Sequence, residues 1–188
     1  FMSMAGLDEE EDTFAPVSRA APRRAVWLGI NLATAFVASS VINLFQDTIE
    51  KVVALAVLMP IVASMGGIAG TQTLTVLIRG IAMGQVGRNN QLWLVNRELL
   101  IGIINSLLWA SVVAVAAAVW FEDWYIGLII AAAMVINLIT AALTGSVIPL
   151  LMTRAKIDPA LAGGVVLTTV TDVVGFVSFL GLATWFYG

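Results

Sequence analysis

The sequence predicts an all-α membrane protein with five transmembrane helices, and three observations carry that prediction. Of its 188 residues 60% are hydrophobic and 11% are charged, whereas a soluble domain is about 25% charged. Five apolar stretches supply the roughly 20 residues that a helix needs to cross about 30 Å of hydrocarbon. They fall at 25–45, 52–78, 99–121, 124–152 and 159–187. The basic residues then sort by side. Arg19, Arg23, Arg24, Arg79, Arg88, Arg97, Arg154 and Lys156 flank one end of the spans, and Lys51 alone flanks the other. By the positive-inside rule the N-terminus is expected in the cytoplasm and the C-terminus outside.

Residues 1–24 form a polar lead with Pro16 and Pro22, a connecting segment expected to be partly helical and to lie in water or at the interface. Residues 25–188 form the membrane domain. The opening FMSMAGLDEEEDTF has no basic region ahead of a short apolar core, so it does not read as a secretory signal. The chain is expected to be a piece of a longer protein. QDTIEK (46–51) and FEDWY (121–125) are short connections, which imply antiparallel neighbouring helices. QVGRNNQLWLVNRE (85–98) mixes polar and apolar residues and is expected to be a cytoplasmic interfacial linker, with Arg97 and Glu98 as a solvated pair at its end. Pro149 marks a kink or terminus in span four. Asp158 before Pro159 reads as an N-cap with proline at the first helical position. Trp27, Trp93, Trp120, Trp124, Tyr125, Trp185 and Tyr187 fall near span ends, as an aromatic belt does. Trp109 does not, and is expected to pack between helices. No repeat stands out, and an odd number of spans argues against an inverted repeat within one chain.

There are no cysteines and no histidines. That removes disulfides, thiolate and imidazole metal sites, Ser-His and Cys-His catalysis and histidine pH switches. Any metal handled by these residues is bound through oxygen, which favours magnesium, calcium or manganese. The net charge of −3 comes largely from Asp8 to Asp12 and points to no partner; no nucleic acid is expected. Neither a catalytic dyad nor a metal-ligand cluster is visible, so no enzyme is expected.

One carboxylate stands inside the last span, in LTTVTDVVGF (167–176). Counting from Ala160 and to Tyr187 at 1.5 Å per residue puts Asp172 about 18 Å from one end and about 22 Å from the other. A carboxylate near a helix centre costs about 2.5–3.5 kcal/mol on insertion scales, so it needs a compensating role. Gly164, Thr168, Asp172 and Gly175 share its face at spacings of three and four. Such a stripe either packs on another helix, with a protonated Asp172 hydrogen-bonded there, or lines a path for an ion or proton. The second reading is favoured, because intramembrane acids are functional by default.

A second stretch, PIVASMGGIAGTQTLTVLIRG (60–80), lies in the cytoplasmic half of span two. Pro60 removes one backbone donor and loosens the helical ladder. Gly66, Gly67 and Gly70 allow close backbone approach, and Ser64, Thr71, Gln72, Thr73 and Thr75 add neutral oxygens. Gly66 and Gly70 are also spaced as a helix-packing GxxxG motif. Packing and pore lining both stay open, and they can coexist. Asn31, Asn43, Asn105, Asn137, Thr140 and Thr144 are expected to hydrogen-bond between helices, and Asp47 and Glu50 to sit in a solvated outer hairpin.

Two motifs together resemble the MgtE family of magnesium channels and transporters: MPIVASMGGIAGTQTLTVLIRGIA (59–82) and IDPALAGGVVLTTVTDVVGFVSFLGLA (157–183). The lead GLDEEEDTFAPV and the arginine-rich start of span one are similar too, so the resemblance covers essentially all of the chain. One departure is Ile68, where many members carry Asn. The resemblance implies a homodimer of five-helix subunits in the bacterial inner membrane, with a pore on the two-fold axis lined by spans two and five. It implies that Asp172 is the magnesium site, assisted at the position of Thr168, with Pro60, Ser64, Gly66, Gly67, Gly70, Gln72, Gly164 and Gly175 along the pore. Cytoplasmic regulatory domains, covalently linked in full-length members, are implied as well.

The function expected is therefore a pore domain conducting hydrated Mg2+ into the cytoplasm, with Mn2+ or Ca2+ as competing ions and lipid around it. Magnesium usually keeps several waters while bound through one or two carboxylates, and a two-fold axis brings two Asp172 side chains together. A proton- or sodium-coupled carrier using Asp172 is the main alternative, and a non-transporting membrane scaffold is another.

Overall fold

The computed structural model describes residues 13–188, so the Asp8 to Asp12 cluster and the start of the polar lead lie outside the described residues. Those described form helices α1 (Val17–Leu44), α2 (Gln46–Lys51), α3 (Ala54–Ala82), α4 (Gln91–Phe121), α5 (Trp124–Arg154) and α6 (Pro159–Tyr187), with no strand among them. All but the short α2 are long and apolar enough to cross a membrane. This is the expected all-helical membrane architecture.

Helices α1 and α4 start well before their apolar stretches, and a short helix forms between the first two stretches. Helix α1 starts at Val17 and carries Pro22 inside it, so it crosses the boundary at residues 24/25; the proline forgoes one backbone bond without ending the helix. Helix α4 starts at Gln91 and absorbs half of the expected 85–98 linker. The connection that remains is pinned by Asn90, whose Oδ1 accepts from the Gly87 N–H at 2.8 Å and whose Nδ2 donates to the Gln85 carbonyl at 2.8 Å. Residues 46–51, expected as a plain connection, form α2. A run of hydropathy ends at the first charges, but a backbone hydrogen-bond ladder does not need apolar side chains to continue. At the start of α6 the cap is as expected, with Asp158 Oδ1 accepting from the Ala160 N–H at 3.0 Å.

Helix α5 is the centre of the bundle. It packs against α3, α4 and α6, while α4 has little contact with α3 and α1 packs chiefly on α6. One core lies towards the α2 end, where Leu55, Leu58, Ile130, Phe179 and Leu180 are buried among residues from five helices. A smaller one joins Ala110, Met134 and Leu138. Polar ties close the same end: the Thr48 and Thr184 hydroxyls lie 2.7 Å apart. The Tyr187 hydroxyl donates to Asp123 Oδ2 at 2.8 Å, while Asp123 Oδ1 caps α5 through the Tyr125 N–H at 3.0 Å.

Three helices meet at Asn137. Its Nδ2 donates to the Val62 carbonyl of α3 at 2.9 Å, fulfilling the expected interhelical bond, and the side chain is fully buried. The space it occupies exists because positions 66 and 175 are glycine. A Cβ at Gly66 would collide with the Asn137 amide, and one at Gly175 would come within 2.9 Å of Nδ2. Overpacking such a site costs about 1–3 kcal/mol. Gly66→Val should therefore lower the thermal midpoint of the purified protein in detergent. Gly181→Ala, where a Cβ has nothing within 4 Å, should leave it unchanged; equal midpoints for both variants would show that the junction does not hold the bundle together.

Candidate cation site

Helices α3 and α6 meet along a tight antiparallel seam. A Cβ at Gly70 would lie 2.7 Å from Leu167, and one at Gly163 would lie 3.3 Å from Leu74. Further along, Gly175 faces Val62 at 3.1 Å. These contacts step evenly in opposite directions, so Asp172 stands level with the Ser64–Gly66 turn of α3.

The residues singled out in the sequence divide around this seam. Gly66, Gly70 and Gly175 are buried within it, whereas Pro60, Ser64, Gln72 and Thr168 are exposed, and Gly67, Gly164 and Asp172 are half-buried. Packing thus accounts for Gly66 and Gly70, while Ser64, Gly67 and Thr71 of α3 and Gly164, Thr168 and Asp172 of α6 edge the open side. Most of the hydroxyls there donate to their own helix: Thr71 to the Gly67 carbonyl at 2.8 Å and Thr168 to the Gly164 carbonyl at 2.9 Å. A hydroxyl that donates inward keeps acceptor lone pairs facing outward. Gln72 lies apart, on the α4 side of α3.

Among the described residues, Asp172 makes no hydrogen bond or ion pair. A protonated carboxyl bonded to a neighbouring helix of the same chain is therefore not what holds it. Nor is there any group of three or more acidic side chains among the described residues that would hold a metal ion. Among the described residues, this surface carries one unpaired acidic side chain and a row of neutral oxygens.

Glu98 departs from expectation. It is 4% exposed rather than a solvated residue, because α4 begins two turns before it and carries it into the bundle. Its Oε1 accepts from Arg97 Nη1 at 3.1 Å, and its Oε2 lies 3.5 Å from the Thr73 hydroxyl of α3. With Gly102, Asn105 and Trp109 it lines a cleft of about 400 Å³ between α3 and α4. Trp109, expected between helices, is 46% exposed on the cleft wall. Residues 98, 102, 105 and 109 follow the spacing of one helical face, but Glu98 joins that face only because α4 extends back to Gln91.

Fold and site define a multi-pass membrane protein that presents an acidic side chain at bilayer depth. The chain belongs to the MgtE family: residues 59–182 match the model of that family, described as divalent cation transporters. It is 34% identical to a magnesium transporter MgtE of Bacillus subtilis over 97% of the chain and 40% of that protein. Its identity to the magnesium transporter MgtE of Enterococcus faecalis is 30%, over 99% of the chain and 41% of the relative. With that of Thermus thermophilus it is 29%, over 85% and 35%. The chain thus spans about two fifths of the length of the curated relatives it matches.

The absence of cysteine makes the exposed edge of the seam directly testable. Ser64→Cys and Thr168→Cys should react quickly with a charged, water-soluble methanethiosulfonate. Thr171→Cys, one turn along on the fully buried side, should stay protected until the protein unfolds. Slow labelling at all three positions would mean that lipid, not water, covers the edge.

Proposed function

We propose that residues 25–188 form the pore domain of a magnesium transporter, passing hydrated Mg2+ into the cytoplasm along a two-fold axis between two copies of the chain. The observation that carries this reading is Asp172, unpaired among the described residues and level with the glycine-rich turn of α3. Membership of a divalent cation transporter family supports the substrate class. The proposed setting is the bacterial plasma membrane, with the N-terminus cytoplasmic and the C-terminus outside by the distribution of Arg and Lys.

The chemistry follows from charge and hydration. One carboxylate does not neutralise a dication, whereas a two-fold axis supplies two. Magnesium sheds its water reluctantly and is content with one or two carboxylates plus retained waters, so the paired Asp172 groups need not contact the bare ion. Thr168, one turn from Asp172, and Ser64 and Thr71 on α3 offer neutral oxygens to that water shell. Ile68, 60% exposed, lies on the α4 side of α3 and offers none, so hydroxyls carry the polar lining on α3. Manganese and calcium, also oxygen-seeking, are the expected competitors. Cytoplasmic regulatory domains linked to this pore belong to the same proposal.

The test is magnesium influx into proteoliposomes loaded with a magnesium-sensitive dye. Asp172→Asn keeps the shape of the side chain and removes its charge. Influx should fall to the level of empty liposomes while the thermal midpoint stays that of the parent. Undiminished influx through Asp172→Asn would place the ion path elsewhere. Influx that requires an imposed proton or sodium gradient would make the protein a coupled carrier instead.

A further inference from the structure

The cleft between α3 and α4 is distinct from the Asp172 edge and uses different residues. Its floor carries a formal negative charge, Glu98, whose side chain is 5% exposed, and its rim carries the Arg97 side chain, 48% exposed. A carboxylate has about four acceptor positions. Among the described residues Glu98 uses two of them, one on Arg97 at 3.1 Å and one on Thr73 at a long 3.5 Å. Gln72 and Asn105 line the same space and bring amide oxygens.

The two charges are not equivalent. Glu98 is locked between helices, on a short stem, and stays where it is. Arg97 reaches it from the surface on a long flexible side chain and is half in solvent, so it can swing away and be hydrated. Once it does, what remains is a buried anion facing a cleft of about 400 Å³, ample for a small cation with several of its waters. The polar ligands are all oxygens, one carboxylate, one hydroxyl and two amides, while the Met65 thioether on the same wall is a single weak lone-pair donor. That set suits a hard divalent cation and no soft metal. An anion is disfavoured by the same asymmetry, since the fixed charge is the negative one.

We infer that the α3–α4 cleft is a second cation site, in which Glu98 is the charged ligand, Gln72, Thr73 and Asn105 supply neutral oxygens, and the Arg97 guanidinium is a tethered cation that fills the place of a free one. The site takes magnesium or manganese with part of its water shell. Occupancy exchanges an intramolecular ion pair for a bound ion, so the free cation competes with Arg97 for the same carboxylate.

The experiment separates this site from the Asp172 edge by working throughout in the Asp172→Asn background, with the full chain in nanodiscs of zwitterionic lipid and Mg2+ alone as the probe. Calorimetry should show residual magnesium binding in that background. Adding Glu98→Gln should abolish it, and adding Arg97→Gln should tighten it severalfold, because the competing cation is gone. A second readout does not depend on Glu98→Gln folding well. In Arg97→Gln the unpaired carboxylate makes stability depend on a bound ion, so added magnesium should raise the thermal midpoint more than in the parent. Residual binding that is absent from the start, or that survives Glu98→Gln unchanged, overturns the proposal. So does an Arg97→Gln variant whose midpoint ignores magnesium. Either result leaves the reading of Asp172 standing, and loss of that reading leaves this one intact.

Discussion

A single side-chain amide sets how closely three helices can approach. Within hydrocarbon there is no hydrophobic force pulling one helix onto another, so packing shape and hydrogen bonds between helices decide the arrangement. Asn137 supplies both at one point. It bonds the Val62 carbonyl of α3 and fills the space left by Gly66 and Gly175. Fixing that point fixes the register of α3 against α6, and the register is what brings Asp172 level with Ser64. The Asn137 Oδ1 itself has no partner among the described residues, so the junction is favoured by shape more than by complete hydrogen bonding.

The helices divide their roles by burial. In α5, Ile130, Ala133, Met134, Asn137, Ala141 and Ser146 are almost entirely enclosed, and this helix brings Gly145 to within touching distance of the Gly70 carbonyl. Helix α3 is therefore committed on its α5 and α6 sides and open on the remainder. That remainder carries two polar surfaces, the hydroxyl edge beside α6 and the cleft beside α4, with Ile68 and Gln72 on the cleft side. Asp172 and Glu98 thus sit on opposite flanks of the same helix, each the only carboxylate of its surface among the described residues.

Much of this was legible in the sequence, for identifiable reasons. Five spans follow from hydropathy because a bilayer demands a minimum apolar length, and the Asp158 cap follows because its chemistry is local. Asp172 was legible because a charge amid apolar residues is visible without knowing the fold. Glu98 was not, since it adjoins Arg97 and lies where hydropathy falls, and both features imitate a solvated loop. Its burial depends on α4 starting at Gln91 and on α5 drawing Thr73 towards it, which are facts of tertiary packing. Trp109 misled for the reciprocal reason: aromatic bulk at mid-span suggests burial between helices, but α4 is covered by α5 on one side only. The glycine-rich segment was ambiguous between packing and lining because its faces differ, Gly66 and Gly70 facing inward while Ser64 and Gly67 edge the open side.

Helix α1 is fastened at one end. Ala38 is buried, and Val41, Ile42 and Phe45 lean on the core that includes Phe176, Phe179 and Ala183 of α6, while nearly everything from Val17 to Val37 is exposed. At 1.5 Å per residue the helix is about 42 Å long, and its exposed part faces the surroundings of the bundle. Such a helix is tied to the bundle by contacts at one end only, chiefly with the half of α6 beyond Asp172, so a change in its tilt disturbs few buried contacts.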